Sequence, residues 1–219
     1  MSNAECTYRL PAPVGVAMVT PFHPDGSVDY DAAANLAKYL VDQGIDHLVL
    51  SGTTGESPTT HLDEKEQLIK VVRQAVGEDL YITAGAGSND TEHSVRMARS
   101  AEAAGADAIL VVSPYYSRPS QEGMYQHFAK VAGQTDLPVM LYDIPGRTGV
   151  AIGDELLMRL AEIDNIVAGE EANGQRGSPL TLSPRVLALG RVAAPPGSLR
   201  FLPVAPFCGS WLRRRELPR

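Results

Sequence analysis

An apolar run of three to seven residues followed by a helix-spaced stretch returns along most of this chain, and that recurrence constrains the fold more than any other feature. Val14 to Thr20 is such a run, stopped by Pro21, and His47 to Leu50, Leu80 to Ala84, Ala108 to Val112, Pro138 to Tyr142 and Ile166 to Ala168 follow it. Short, continuously apolar strands are buried on both faces, as in parallel sheets. Between them lie apolar stripes at helical spacing: Ala33, Leu36, Ala37, Leu40 and Val41, then Leu68, Val71, Val72 and Ala75, then Met124, Phe128, Val131 and Ala132. Asp29 is placed to cap the first helix, Thr60 with Asp63 the second, and Gly44, Gly77 and Gly105 to end three of them. A helix is expected from about Asp90 to Ala104, and Asp154 opens another carrying Leu156, Leu157 and Leu160.

One βα unit about every 30 residues predicts a parallel sheet with right-handed crossovers. An open doubly wound sheet and a (β/α)8 barrel both satisfy that pattern. A dinucleotide fingerprint would need three glycines after the first strand, and Pro21-Phe22-His23-Pro24-Asp25-Gly26 does not supply them. The α/β class is therefore read as a TIM-type (β/α)8 barrel of which about six units are recognisable. Polar and glycine-rich segments follow the strand ends, the edge at which both architectures bind ligands.

Charge divides the chain in two. Residues 1–174 hold 11 basic and 25 acidic residues, a net −14, whereas residues 175–219 hold eight arginines against Glu216 alone, a net +7. The second stretch also carries seven of the 16 prolines. The division reads as an N-terminal barrel portion, 1–174, and a basic Pro/Arg-rich tail, 175–219, expected to be poorly ordered. With an overall charge of −7, the chain is not expected to seek nucleic acid or an anionic membrane. Arg213-Arg214-Arg215 is weak evidence to the contrary. No apolar run approaches the ~20 residues of a membrane span, and Met1 to Pro11 lacks the layout of a secretory signal. Cytoplasmic residence is expected. Cys6 and Cys208 have no metal-ligand spacing; two thiols can pair, and reduced cysteines are the simpler reading. No metal and no cofactor are expected.

The chemistry-bearing residues cluster after the strands. Gly52-Thr53-Thr54-Gly55-Glu56 sets two hydroxyls on a flexible backbone, donors suited to a small carboxylate; taken alone it is also an ordinary turn. Tyr115 and Tyr116 follow strand four and Tyr142 ends strand five; two such tyrosines near a threonine pair can relay protons, or simply pack. Arg147 lies on the loop after strand five, able to clamp a carboxylate or to make a surface ion pair. Gly85-Ala86-Gly87-Ser88-Asn89 is either a phosphate loop or, with no lysine beside it, a plain βα turn.

Gly52 to Thr59, Ser113-Pro114-Tyr115-Tyr116 and Leu141 to Gly149 together resemble the dihydrodipicolinate synthase family, with order and spacing kept from about Val14 to Gly174. The resemblance implies a (β/α)8 barrel, usually tetrameric, with a helical C-terminal extension. It also implies condensation of pyruvate with aspartate semialdehyde in the diaminopimelate and lysine pathway, by a class I, Schiff-base mechanism. By resemblance Thr53 and Thr54 hold the pyruvate carboxylate, and Thr54, Tyr142 and Tyr116 form the proton relay, with Tyr116 reaching into a neighbouring subunit. Tyr142 is then the acid–base group at the imine, and Arg147 binds the carboxylate of the aldehyde. Relatives that cleave sialic acid or dehydrate sugar acids share this chemistry, and the threonine pair with Arg147-Thr148-Gly149 favours the synthase branch.

Two departures accompany the match. Where the family carries its imine-forming lysine at the end of strand six, this chain reads Ile166-Val167-Ala168-Gly169-Glu170-Glu171-Ala172-Asn173-Gly174, placing Glu170 at the lysine position. A carboxylate has no nitrogen with which to form an imine. The four lysines, Lys38, Lys65, Lys70 and Lys130, all fall in helices expected on the outer ring. After Gly174 the family pattern stops, with no counterpart of strands seven and eight or of the extension; a truncation or a shifted reading frame would produce so abrupt a change. Three readings follow: a synthase by descent with impaired chemistry, a non-catalytic barrel fragment or subunit that binds pyruvate weakly, and a different lyase using Glu170 as a general base.

Overall fold

In the computed structural model, residues 14–172, 190–193 and 199–200 are described. Strands β1 (Val14–Ala17), β2 (His47–Leu50), β3 (Tyr81–Gly85), β4 (Ala108–Val112), β5 (Val139–Asp143) and β6 (Ile166–Glu171) alternate with helices α1 (Tyr30–Asp42), α2 (Leu62–Val76), α3 (Thr91–Ala103), α4 (Gln121–Ala132), α5 (Pro145–Thr148) and α6 (Asp154–Leu160). These six strands are parallel, and neighbours in sequence are neighbours in the sheet. They form the first six βα units of a (β/α)8 barrel.

Two apolar layers result from the period-2 alternation of each strand. Leu48, Leu50, Ile82, Ile109, Val111 and Leu141 face outward and pack on helix residues such as Ala33, Leu68, Phe128 and Leu160. Val49, Leu110, Met140, Tyr142 and Ala168 face inward and fill the lumen. One irregularity lies between Val139 and Met140, whose partners Ile166 and Ala168 skip a residue. It brings Ala168 and then Glu170 onto the inner face opposite Met140 and Tyr142.

Helices α1, α3 and α4 start at side-chain caps, and α2 starts otherwise than expected. Asp29 accepts from the Ala32 amide, Asp90 from Glu92 and His93, and Ser120 from Gly123. On α2, Thr60 is not the cap: His61 occupies that position and its amide donates to the Glu64 carboxylate at 2.7 Å. The Thr60 hydroxyl is engaged by Ser57 and Lys65 instead. At the opposite edge of the sheet, Arg73 donates to the carbonyls of Gly77, Leu80 and Gly105 and pairs with Asp107 at 2.5 Å. One side chain thus ties α2, the start of β3 and the α3–β4 connection.

Gly85-Ala86-Gly87 is a close-packing device. A Cβ on Gly85 would sit 2.0 Å from the Ser51 carbonyl oxygen, and one on Gly87 2.3 Å from the Val112 amide nitrogen. Only glycine lets the end of β3 lie so close between β2 and β4.

The tail contributes two short strands where no counterpart of strands seven and eight was expected. Strand β7 (Gly190–Ala193) runs parallel beside β6, and β8 (Leu199–Arg200) runs antiparallel beside β1. Both ends of a six-stranded sheet present unpaired amides and carbonyls, which an extended segment satisfies through its backbone whatever its side chains. The antiparallel direction of β8 differs from the all-parallel order of a complete barrel. The expected disorder of the tail falls mainly on residues outside those described.

Candidate active site

At the C-terminal ends of β2 to β5 the sheet opens into a cavity of about 490 Å3. Its floor is set by the turn that leaves β2. Ser51 and Glu56 both adopt left-handed backbone conformations, with φ of 52° and 56°. The Glu56 amide donates to the Thr53 carbonyl, and the Thr20 hydroxyl donates to the Gly55 carbonyl at 2.7 Å, fastening the loop to the segment after β1. A Cβ on Gly55 would meet the Met18 carbonyl at 3.0 Å, so the glycine is needed for that approach. Thr53 lines the cavity, whereas Thr54 is exposed beside it.

Tyr142 comes from the inner face of β5, 9% exposed, with its ring among the lumen side chains. Tyr142 and Thr53 line the same cavity wall. Burial raises the Tyr142 pKa above the ordinary 10, and the nearby Glu170 adds to that rise. Thr53 and the Arg147 guanidinium oppose it. Arg147 reaches the cavity from α5, a single turn closed by Gly149 at φ 78° and held by Thr148, whose hydroxyl donates to the Ile144 and Val150 carbonyls. Tyr115 and Tyr116 form the rim after β4. Tyr116 is 91% exposed and has φ 70°, a conformation costly for an aromatic residue.

Glu170 lies on β6 in register with Tyr142. It is 7% exposed, and its Oε2 has no hydrogen-bond partner among the described residues. Burial pushes its carboxyl up from 4.5 to about 7. The two backbones stand one strand spacing apart, about 4.8 Å in a sheet, with both side chains on the same face.

One cavity residue was assigned elsewhere by the sequence. Lys65 sits on the outer ring in helix α2, yet it is 6% exposed and its ammonium turns into the cavity wall. There Nζ donates to the Ser57 carbonyl at 2.7 Å, the Thr60 carbonyl at 2.5 Å and the Thr60 hydroxyl at 2.7 Å. Desolvation lowers its pKa from 10.5 to about 8. Three acceptors around three N–H bonds hold it as the ammonium, a strut under the Ser57–Thr60 turn. Its signal was phase: Lys65 precedes Leu68, Ile69 and Val72 by three, four and seven residues, on the buried stripe of the helix.

Comparison with known proteins adds a frame to this geometry. Residues 11–181 match the model of the dihydrodipicolinate synthetase family. A 4-hydroxy-tetrahydrodipicolinate synthase of Acidothermus cellulolyticus is 59% identical over 171 residues, covering 77% of this chain and 56% of that protein. A second, from Streptomyces coelicolor, is 54% identical over 161 residues, covering 74% and 54%. Among solved structures, a dihydrodipicolinate synthase of Bacillus anthracis superposes with a TM-score of 0.73 at 45% identity, covering 76% of this chain and 57% of that one. The chloride-inhibited enzyme of Acinetobacter baumannii, solved with pyruvate, gives 0.72 at 41% identity, covering 74% and 56%. The chain spans little more than half the length of these relatives.

Proposed function

This chain belongs to the dihydrodipicolinate synthetase family, and on that premise we propose that its cavity binds a small 2-oxo acid, pyruvate, while the Schiff-base step of the family is disabled. The single observation that carries the proposal is Glu170. It is buried on the inner face of β6, in register with Tyr142, at the position the family resemblance assigns to the imine lysine. By descent the chain is a lyase of the diaminopimelate and lysine pathway that condenses pyruvate with aspartate semialdehyde. In its present form it is impaired in that reaction.

The roles follow from chemistry and position. Thr53, with Thr54 beside it, offers hydroxyl and amide donors to the pyruvate carboxylate. Tyr142 stays a neutral donor at physiological pH and is directed at the ketone oxygen. Arg147 answers the carboxylate of a second substrate with its planar fork of donors. Thr53 and Tyr142 line one cavity, which supports a relay entered through Thr53, where the family resemblance assigns Thr54. Tyr116, exposed on the rim in a strained conformation, supports the idea of a group offered to a neighbouring subunit in a tetramer. Lys65 does not replace the missing amine, because its ammonium is committed to Ser57 and Thr60.

The test is borohydride reduction of the full chain in the presence of pyruvate, read by intact mass. No adduct is expected. A stoichiometric reduced-pyruvate adduct on any lysine would overturn the proposal and identify the replacement nucleophile.

A further inference from the structure

Several buried polar groups among the described residues have an atom without a partner, and Glu170 is the carboxyl among them. It is more than nine-tenths buried, it has an oxygen without a partner among the described residues, and it adjoins the cavity through Tyr142. A buried carboxyl with no donor turned toward it among the described residues is a base waiting for a proton. Taking as given the reading that the cavity binds a 2-oxo acid, we propose that Glu170 and Tyr142 together enolise that acid without an imine, Glu170 removing a proton from C3 while the Tyr142 phenol hydrogen-bonds the ketone oxygen.

The step balances within the site. The C3–H bond breaks and the proton passes to a Glu170 oxygen. The C–H electron pair forms the C2=C3 double bond, and the carbonyl pair moves onto the ketone oxygen as an enolate, which the Tyr142 O–H stabilises. The reverse step returns a proton from Glu170 to C3. No cofactor or co-reactant enters, and the visible consequence is exchange of the methyl hydrogens with solvent.

Geometry favours this division of labour. The two side chains stand on adjacent parallel strands, on the same inward face, so a substrate whose ketone oxygen meets the phenol presents its next carbon toward the carboxyl. Thr53 lines the same cavity and anchors the substrate carboxylate. Among the described residues, the groups facing Glu170 do not neutralise it. On β5 its neighbour is the uncharged Tyr142, and the Arg147 guanidinium acts on that phenol. Asp143 accepts from the Ile152 amide at 3.1 Å. Burial places the carboxyl near neutrality, where a general base is most effective, and keeps the phenol protonated as a donor.

The experiment follows C3 hydrogen–deuterium exchange of pyruvate by proton NMR in D2O with the full chain, alongside calorimetric binding of pyruvate. Exchange is expected to saturate with pyruvate and to exceed the buffer control. Its kcat should rise with pH, with a midpoint above that of Glu170 in the free protein, since bound pyruvate adds a second negative charge. Glu170→Gln should lose exchange by about 100-fold or more while still binding pyruvate. Glu170→Asp should retain part of it, and Tyr142→Phe should lower kcat without abolishing binding. Binding without exchange in the parent chain overturns this inference and leaves the 2-oxo acid reading standing. Absence of binding at every pH overturns both. Exchange that survives in Glu170→Gln, or that comes with a borohydride-trapped lysine adduct, shows an amine at work and also overturns the inference.

Discussion

Replacing the Glu170 carboxyl with the neutral, isosteric amide of glutamine should stabilise the protein at alkaline pH and change it little in mild acid. In the folded chain burial holds this carboxyl at about 7, against an ordinary 4.5. The folded state therefore binds more protons than the unfolded state between those values. By linkage, stability must fall as pH rises through that window and level off above about 7. A shift of about 2.5 pH units at about 1.36 kcal/mol each gives a full penalty of about 3 kcal/mol. At pH 5 part of it is already present, so about 2.5 kcal/mol should separate pH 5 from pH 8.5. Glutamine has no such penalty. For a chain of this size, about 2–4 °C of melting temperature corresponds to 1 kcal/mol. The melting-point gap between Glu170→Gln and the parent should thus widen by about 5–10 °C from pH 5 to pH 8.5. Circular dichroism melts of both proteins at the two pH values give this difference directly, with every other titrating group cancelling. Parallel pH profiles would refute the reasoning, for they would mean that the carboxylate is hydrated or paired when folded.

Three other outcomes follow from the same geometry. A pyruvate carboxylate about 5 Å from an ionised Glu170, at an effective dielectric constant of about 20, is opposed by about 3 kcal/mol. Calorimetry should accordingly show binding at least tenfold tighter near pH 5 than at pH 8, and pH-independent binding would argue that Glu170 points away from the ligand. Glu170→Lys puts an amine where burial depresses its pKa, so borohydride with pyruvate should now trap an adduct on position 170; an unmodified mass would contradict the placement of that side chain beside the cavity. Gly85→Ala drives a methyl into the Ser51 carbonyl and should abolish the cooperative melt, whereas Gly146→Ala, with open space around it, should melt within about 1 °C of the parent.

The parallel strands were legible because each is a short apolar run buried on both faces, and β4 falls on Ala108 to Val112 as read from the sequence. Threonine 53, Tyr142 and Arg147 were legible because strand ends in such folds carry the polar residues, and the structure brings all three to one cavity. Helix α5 was missed because four residues beginning Pro145-Gly146 are too short to show a period. The cap of α2 was misplaced by one residue, since a threonine followed by an acid reads as a cap whether or not its hydroxyl is engaged elsewhere. Lys65 was misread because charge outweighed phase: four methylenes carry its ammonium through an apolar stripe to carbonyls that only the folded Ser57–Thr60 turn presents. The strands β7 and β8 had no signal in side-chain pattern at all, because they answer backbone edges rather than an apolar face.

The order of β1 to β6 in the sheet, identical to their order in the chain, bears on how the protein comes into being on the ribosome. Each new strand docks on the one made just before it, so no segment must wait for a distant partner yet to be synthesised. At about 5–20 residues per second, a βα unit of about 30 residues emerges every few seconds, whereas a helix or a short loop closes in microseconds or less. The growing sheet therefore has ample time to lay down one unit before the next arrives. Assembly of this kind is templated and directional: beside the β1 edge, open from the start, it leaves one growing edge at a time, the newest strand. Chaperone dependence should track how long that edge stays uncovered during translation, rather than the length of the finished chain.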